Sequence, residues 1–139
     1  MTAYTFKMGI NRPYITLTAF QTGLTQVIAP GNFTPAVGYG NTHTFNTPFV
    51  WNGTSNIIIE TTFGNNIAGV ANDHVIQYNT GTSYQSTIVY RADNVTAAAA
   101  AVATTVSLSF SARPDFKFVS NTALTYQWSP VTGLNNQLP

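Results

Sequence analysis

The chain has 139 residues, of which 44% are hydrophobic and only 6% charged, with five cations, four anions and no cysteine. That length suits one domain able to bury roughly two thirds of the surface its unfolded form exposes. A net charge of +1 with no basic run removes the electrostatic footprint of a nucleic-acid binder, and the missing cysteines exclude disulfides, thiolate catalysis and cysteine metal sites.

Thr, Asn, Ser, Gln and Gly occupy the surface that charged residues leave vacant. From the first residues the pattern is that of strands. Tyr4, Phe6, Met8 and Ile10 alternate with Thr5, Lys7 and Gly9, the period of a half-buried strand that Asn11-Arg12-Pro13 ends. Tyr14 to Phe20 and Leu24 to Ile28 read as a second and a third strand, followed by an irregular stretch marked by Pro30, Gly31 and Pro35. Between Val37 and Phe45 the alternation places His43 and Phe45 on one face and Thr42 and Thr44 on the other.

The segment Thr44 to Phe63, TFNTPFVWNGTSNIIIETTF, organises the rest. Its aromatic pair, Asn52-Gly53 turn and β-branched run predict strand, turn, strand, and the three consecutive isoleucines 57 to 59 predict a central strand covered on both faces. Further strands are expected at His74 to Tyr78, with a turn at 79–81, and at Tyr84 to Tyr90, Val106 to Ala112 and Phe116 to Val119, with a kink at Arg113-Pro114-Asp115. Ala97 to Ala101 has high helix propensity, but threonines flank it and no capping pattern encloses a full helix, so a strand-rich chain without a helix is expected. The apolar run Ala97 to Ala103 is too short to cross a bilayer. Short strands punctuated every 8–12 residues give an all-β, antiparallel, jelly-roll-like β-sandwich over 1–120. Residues 121–139 start a new pattern and are read as a linker and the opening of a following unit.

Reactive groups are few. His43 and His74 are the only imidazoles and Glu60, Asp73, Asp93 and Asp115 the only carboxylates, with no metal-ligand spacing, no converging acid pair and no nucleophile elbow. The chain is therefore read as non-enzymatic, with no catalytic residue, metal site or cofactor; loop calcium through Asp73 or Asp93 is the one ion considered. Trp51 is a candidate stacking platform for a sugar ring, although packing at the core edge is the commoner use of such a ring. Tyr84 and Tyr90, set among Asn, Ser and Thr, are further candidates for a polar binding face. Asn52, Gly53, Ser55 and Asn56 fit the glue of a tight turn.

Residues His43 to Asn65, HTFNTPFVWNGTSNIIIETTFGN, resemble a pattern found in secreted and cell-surface proteins of Bacteroidetes: F-x-x-P-F, then W-D-G-x-S-N and an apolar strand ending in Glu. Lys7-Met8-Gly9 and Arg113-Pro114 look like further marks of that family, so the likeness spans most of residues 4 to 119 and carries Phe49, Trp51, Asn52, Gly53, Ser55, Asn56, Arg113 and Pro114. These modules are similar to the jelly-roll sandwiches of type IX secretion substrates, including gliding and surface adhesins and accessory domains of secreted proteases. Tyr126-Gln127-Trp128-Ser129-Pro130-Val131-Thr132-Gly133-Leu134 resembles the opening of the immunoglobulin-like or PKD-like repeats that follow such modules. The resemblance implies a piece of a tandem array, targeted by a segment outside this chain. Where the family carries Asp, this chain has Asn52, which removes a carboxylate ligand for calcium there.

The expectation is thus an extracellular adhesion module that binds a surface polysaccharide or another extracellular ligand and abuts neighbouring modules of its own chain, with no nucleic acid partner and no membrane insertion. A structural spacer or filament repeat, and the carbohydrate-binding accessory module of a secreted enzyme, are the alternatives.

Overall fold

The computed structural model describes residues 1–11, 16–36, 38, 40–64, 78–80 and 82–120, with the backbone alone at 11 and 78–80. In chain order the elements are β1 (Thr2–Asn11), β2 (Thr25–Gly31), β3 (Asn56–Gly64), β4 (Tyr78–Thr80), β5 (Thr87–Val89), a single helical turn α1 (Ala97–Ala100), β6 (Leu108–Phe110) and β7 (Ala112–Pro114). The fold is all-β and sandwich-like. Every described strand pair is antiparallel: a three-stranded sheet of order β2-β1-β3, and the two-stranded sheets β4-β7 and β5-β6.

The alternation read in the first ten residues is what makes β1 the centre. Tyr4, Phe6 and Met8 point to one face and are buried together with Val27 of β2, and Phe45, Phe49, Ile57 and Ile59 pack against them from the edges. Each such apolar side chain removed from water contributes about 1.5–3 kcal/mol. On the opposite face Lys7 meets its cross-strand partner Glu60, Nζ to Oε1 at 2.6 Å, and the pair fixes the register of β1 on β3. Gly9 leaves room for Leu24, whose Cδ2 would clash with an added Cβ. The Lys7-Met8-Gly9 mark is therefore an ion pair, a core side chain and a close approach.

Several expectations are corrected by this arrangement. The isoleucine strand β3 lies at the edge of its sheet among the described residues, and β1 takes the central place, because β1 finds hydrogen-bonding partners on both sides. No hairpin forms across Asn52-Gly53. The incoming arm turns instead to β2, where the Asn46 and Thr47 N–H groups donate to the Val27 carbonyl (2.8 and 3.3 Å) and the Asn46 Oδ1 accepts from Ala29 N–H (3.0 Å). Among the described residues between 37 and 45 there is no strand, since Gly38 and Gly40 adopt φ of +108° and +90° and the Asn41 side chain closes a local ring with both backbone groups of Ala36. The predicted alternation survives there all the same, with His43 and Phe45 half-buried and Thr42 and Thr44 exposed.

Residues 16–20 are not strand; Leu17 N–H reaches the Gln85 carbonyl (2.8 Å), and 12–15 lie outside the described residues. The expected strand at 74–77 also lies outside them, while Asn79 and Thr80 belong to β4 rather than to a turn. The strand expected over 106–112 breaks at Ser111, where the chain leaves the sheet with β5 and enters the one with β4. Arg113 and Pro114 consequently sit inside β7 and not at a kink, Arg113 opposite Asn79 and Pro114 opposite Tyr78. The helical turn exists because the Thr96 hydroxyl caps it, accepting from Ala99 N–H at 3.1 Å. Residues 116–119 form no strand; Phe116 reaches back edge-on to Phe6, and Phe118 stacks on Phe116.

Candidate functional site

The loop 46–55 carries the side chains singled out from the sequence, and its geometry follows from one residue. Asn52 Oδ1 accepts from the N–H groups of Thr54 (3.1 Å) and Ser55 (2.9 Å), while its Nδ2 donates to Ser55 Oγ (2.8 Å). A short amide side chain thereby replaces the backbone partners that a hairpin would supply. Gly53 takes φ +76°, a conformation that a Cβ would strain. The turn delivers Asn56 to the start of β3, opposite Asn11.

The same turn orients Trp51. Its indole Nε1 donates to the Ser55 carbonyl at 2.8 Å, so the ring is pinned by its polar edge while the residue is 51% exposed. Val50 beside it is 83% exposed, and Phe49 turns inward to the core. An alternation of in and out along 49–51 thus anchors the loop with one aromatic and presents another. Among the described residues no second ring packs on the indole. The result is an immobilised apolar face bordered by the neutral polar groups of Asn52 and Thr54, a surface suited to the C–H face of a sugar or to another flat, uncharged partner.

The other two candidates are placed differently. Tyr84 and Tyr90 flank β5 and are half-buried; the Tyr84 carbonyl accepts from the Thr82 hydroxyl at 2.9 Å. Among the described residues no ring contact joins either tyrosine to Trp51, so the three do not form one aromatic platform. Arg113 is exposed and Pro114 half-buried on β7, where they serve the pairing with β4. Asp93 is exposed next to Asn94, which adopts φ +60°, and Asp73 and His74 lie outside the described residues. No group of three or more His, Asp or Glu side chains converges among the described residues, and no described helix is long and apolar enough to cross a membrane.

One cluster escaped the sequence reading. His43 packs against Phe33 (ring centroids 4.6 Å apart), Tyr4 (5.4 Å) and Phe6 (5.8 Å), with Tyr4 and Phe33 themselves stacked at 5.0 Å. Burial pushes the His43 pKa below its ordinary value and raises the Tyr4 phenol to about 12. The phase of His43 in the 37–45 alternation was the available signal, but its ring partners come from positions 4, 6 and 33.

No protein-family model, no curated protein and no solved structure matches the chain.

Proposed function

We propose that this chain is a non-catalytic, jelly-roll-like module of a large secreted or cell-surface adhesin of the Bacteroidetes type IX secretion class, and that it binds a surface polysaccharide or another uncharged extracellular ligand. The observation that carries this reading is the Trp51 indole, held by Ser55 and half open to solvent beside exposed Val50. Exposing that ring without a partner forgoes the gain of burying it, which favours a ligand-contact role over a packing one. The low charge of the chain fits a neutral partner, and the polar loop around Trp51 supplies hydrogen bonds without salt-dependent steering.

A second reading has its own observation. Phe116 and Phe118 stack on one another while exposed, with Val119 beyond them, and such an apolar strip fits contact with a neighbouring module of the same parent chain. Under this alternative the chain is a structural spacer, and Trp51 serves the loop alone.

The test is a screen of the protein on immobilised glycans and whole polysaccharides, run with calcium and again with chelator. Saturable binding to a defined sugar class, reduced at least about tenfold by Trp51→Ala and partly retained by Trp51→Phe, supports the adhesin reading; loss of one stacked ring is worth that factor. Binding abolished by chelator assigns calcium to a loop such as that of Asp93. Absence of binding by protein with an intact thermal transition shifts the assignment to the spacer.

A further inference from the structure

The β1-β2 ladder is irregular between Tyr4 and Phe6 and again between Phe6 and Lys7. Tyr4 pairs with Gly31 and Phe6 with Ile28, so two steps along β1 match three along β2, and the extra residue falls at Ala29-Pro30. Pro30 is the cause, because it has no N–H to give to a ladder. On the other edge of β2 the Ala29 N–H donates to Asn46 Oδ1 at 3.0 Å.

Beside the bulge lies a shallow cleft of about 120 Å³. Tyr4, Phe33 and His43 supply its aromatic wall, and Asn32, Thr42 and Thr44 its neutral polar rim. Phe33 is tied to the residue before β1, its N–H donating to the Met1 carbonyl at 3.0 Å. Among the described residues no protein hydrogen bond engages the Tyr4 hydroxyl or the His43 ring. Within that described set these two polar groups stand on the aromatic wall of the cleft.

From this geometry we propose that the Tyr4–Phe33–His43 cleft is a second binding site, for a single neutral pyranose ring at the end or branch of a glycan. Among the described residues that line it there is no Asp, Glu, Lys or Arg, which favours a neutral ligand. Its volume lies below the roughly 300–1,000 Å³ of pockets that enclose drug-sized molecules, which fits contact with a single small ring. Bulges re-aim side chains beside binding sites in just this way. The site does not depend on the Trp51 loop, whose face is flat, and the two fail separately.

The test is a titration of ¹⁵N-labelled protein with the methyl glycosides of glucose, galactose, mannose and N-acetylglucosamine at millimolar concentrations, with adenosine as a flat aromatic contrast. Saturable shifts of the Ala29, Gly31, Phe33, Thr42 and Thr44 amides with one or more glycosides are expected, unchanged in Trp51→Ala. Tyr4→Phe keeps the ring stack and removes only the hydroxyl; it is expected to weaken the midpoint about tenfold, as loss of a desolvated hydrogen bond does. Thr42→Val, on the exposed rim, is the second variant should Tyr4→Phe not fold, with the same expected direction. No saturable shift with any glycoside, shifts confined to the Trp51 loop, a response to adenosine alone, or binding unaffected by both variants overturns the proposal.

Discussion

At the scale of single residues, Asn52 does more than any other to shape the candidate site, because its one amide closes the turn that also fixes Trp51. Removing it takes away the oxygen that accepts from the Thr54 and Ser55 N–H groups. Asn52→Ala is expected to destabilise the protein by about 1–3 kcal/mol. Asn52→Asp keeps both acceptor bonds, with Ser55 Oγ donating to the carboxylate, and is expected to change stability by less than about 0.5 kcal/mol. Urea unfolding of the two variants checks this ordering, and equal loss in both would show that the turn does not depend on the side-chain oxygen. Position 52 therefore works as turn chemistry whichever of the two residues stands there.

His43 makes a second residue-scale prediction. Its imidazolium form is disfavoured by burial among Tyr4, Phe33 and Phe6, so its folded pKa lies below the ordinary 6.5. Below pH 6.5 the unfolded chain takes up the proton more readily than the folded one, and stability falls as the pH drops toward the folded value. Tyr4 acts at the other end, since its phenol is pushed from 10.0 up to about 12 and the unfolded chain ionises first above pH 10. The thermal midpoint should thus form a plateau between about pH 7 and 10 and decline on both sides. His43→Phe should flatten the acid limb; an acid limb unchanged in that variant would remove His43 as its cause.

Elements follow from how residues are paired. β1 is the central strand because its period-two pattern buries Tyr4, Phe6 and Met8 while its other face carries Lys7 to Glu60. The two side chains are 23% and 18% exposed, so the pair is shielded from solvent without being fully desolvated. A double-mutant cycle with Lys7→Met and Glu60→Gln should give a coupling of about 0.5–1 kcal/mol that shrinks at high salt. A coupling of zero at low salt would show that the pair does not help to set the β1-β3 register.

The alternation of β1 was legible in the sequence, as were the existence of β3 and the positive φ of Gly53, because each rests on local pattern; the central place of β1 was not. What was not legible rests on partners distant in the chain. The alternation of 37–45 correctly placed His43 and Phe45, yet its described residues form no strand because Asn41 closes on Ala36 and two glycines take left-handed geometry. The isoleucines of β3 signalled burial without saying which strand would be central. The sheet switch at Ser111 and the bulge at Ala29-Pro30 are set by tertiary pairing; only Pro30 announced the latter. Of the site residues, Trp51 and Asn52 were found together, Tyr84 and Tyr90 fall on another sheet edge, and the Tyr4–Phe33–His43 cluster joins segments that no spacing links.

At the scale of the whole molecule, the described residues bury Phe6, Met8 and Val27 fully and leave Val50, Trp51, Phe116, Phe118 and Val119 open. With so few charges, this surface meets partners through shape and neutral contact rather than through long-range attraction. The loop 46–55 is tied to the sheet at both ends, by Asn46 on β2 and by the Asn52 turn before β3, so Trp51 is displayed from a rigid support. Such support lowers the ordering entropy that binding must offset.

The most direct measurement of this account is the emission of Trp51 itself, recorded in a Trp128→Phe background so that one of the two tryptophans reports alone. Soluble neutral polysaccharides, among them β-glucan, mannan, xylan and chitin oligosaccharides, are titrated into the folded protein. The account predicts a saturable change in Trp51 emission with one sugar class and not the rest. Emission that stays constant across the whole panel, from protein with an unaltered thermal transition, would contradict it.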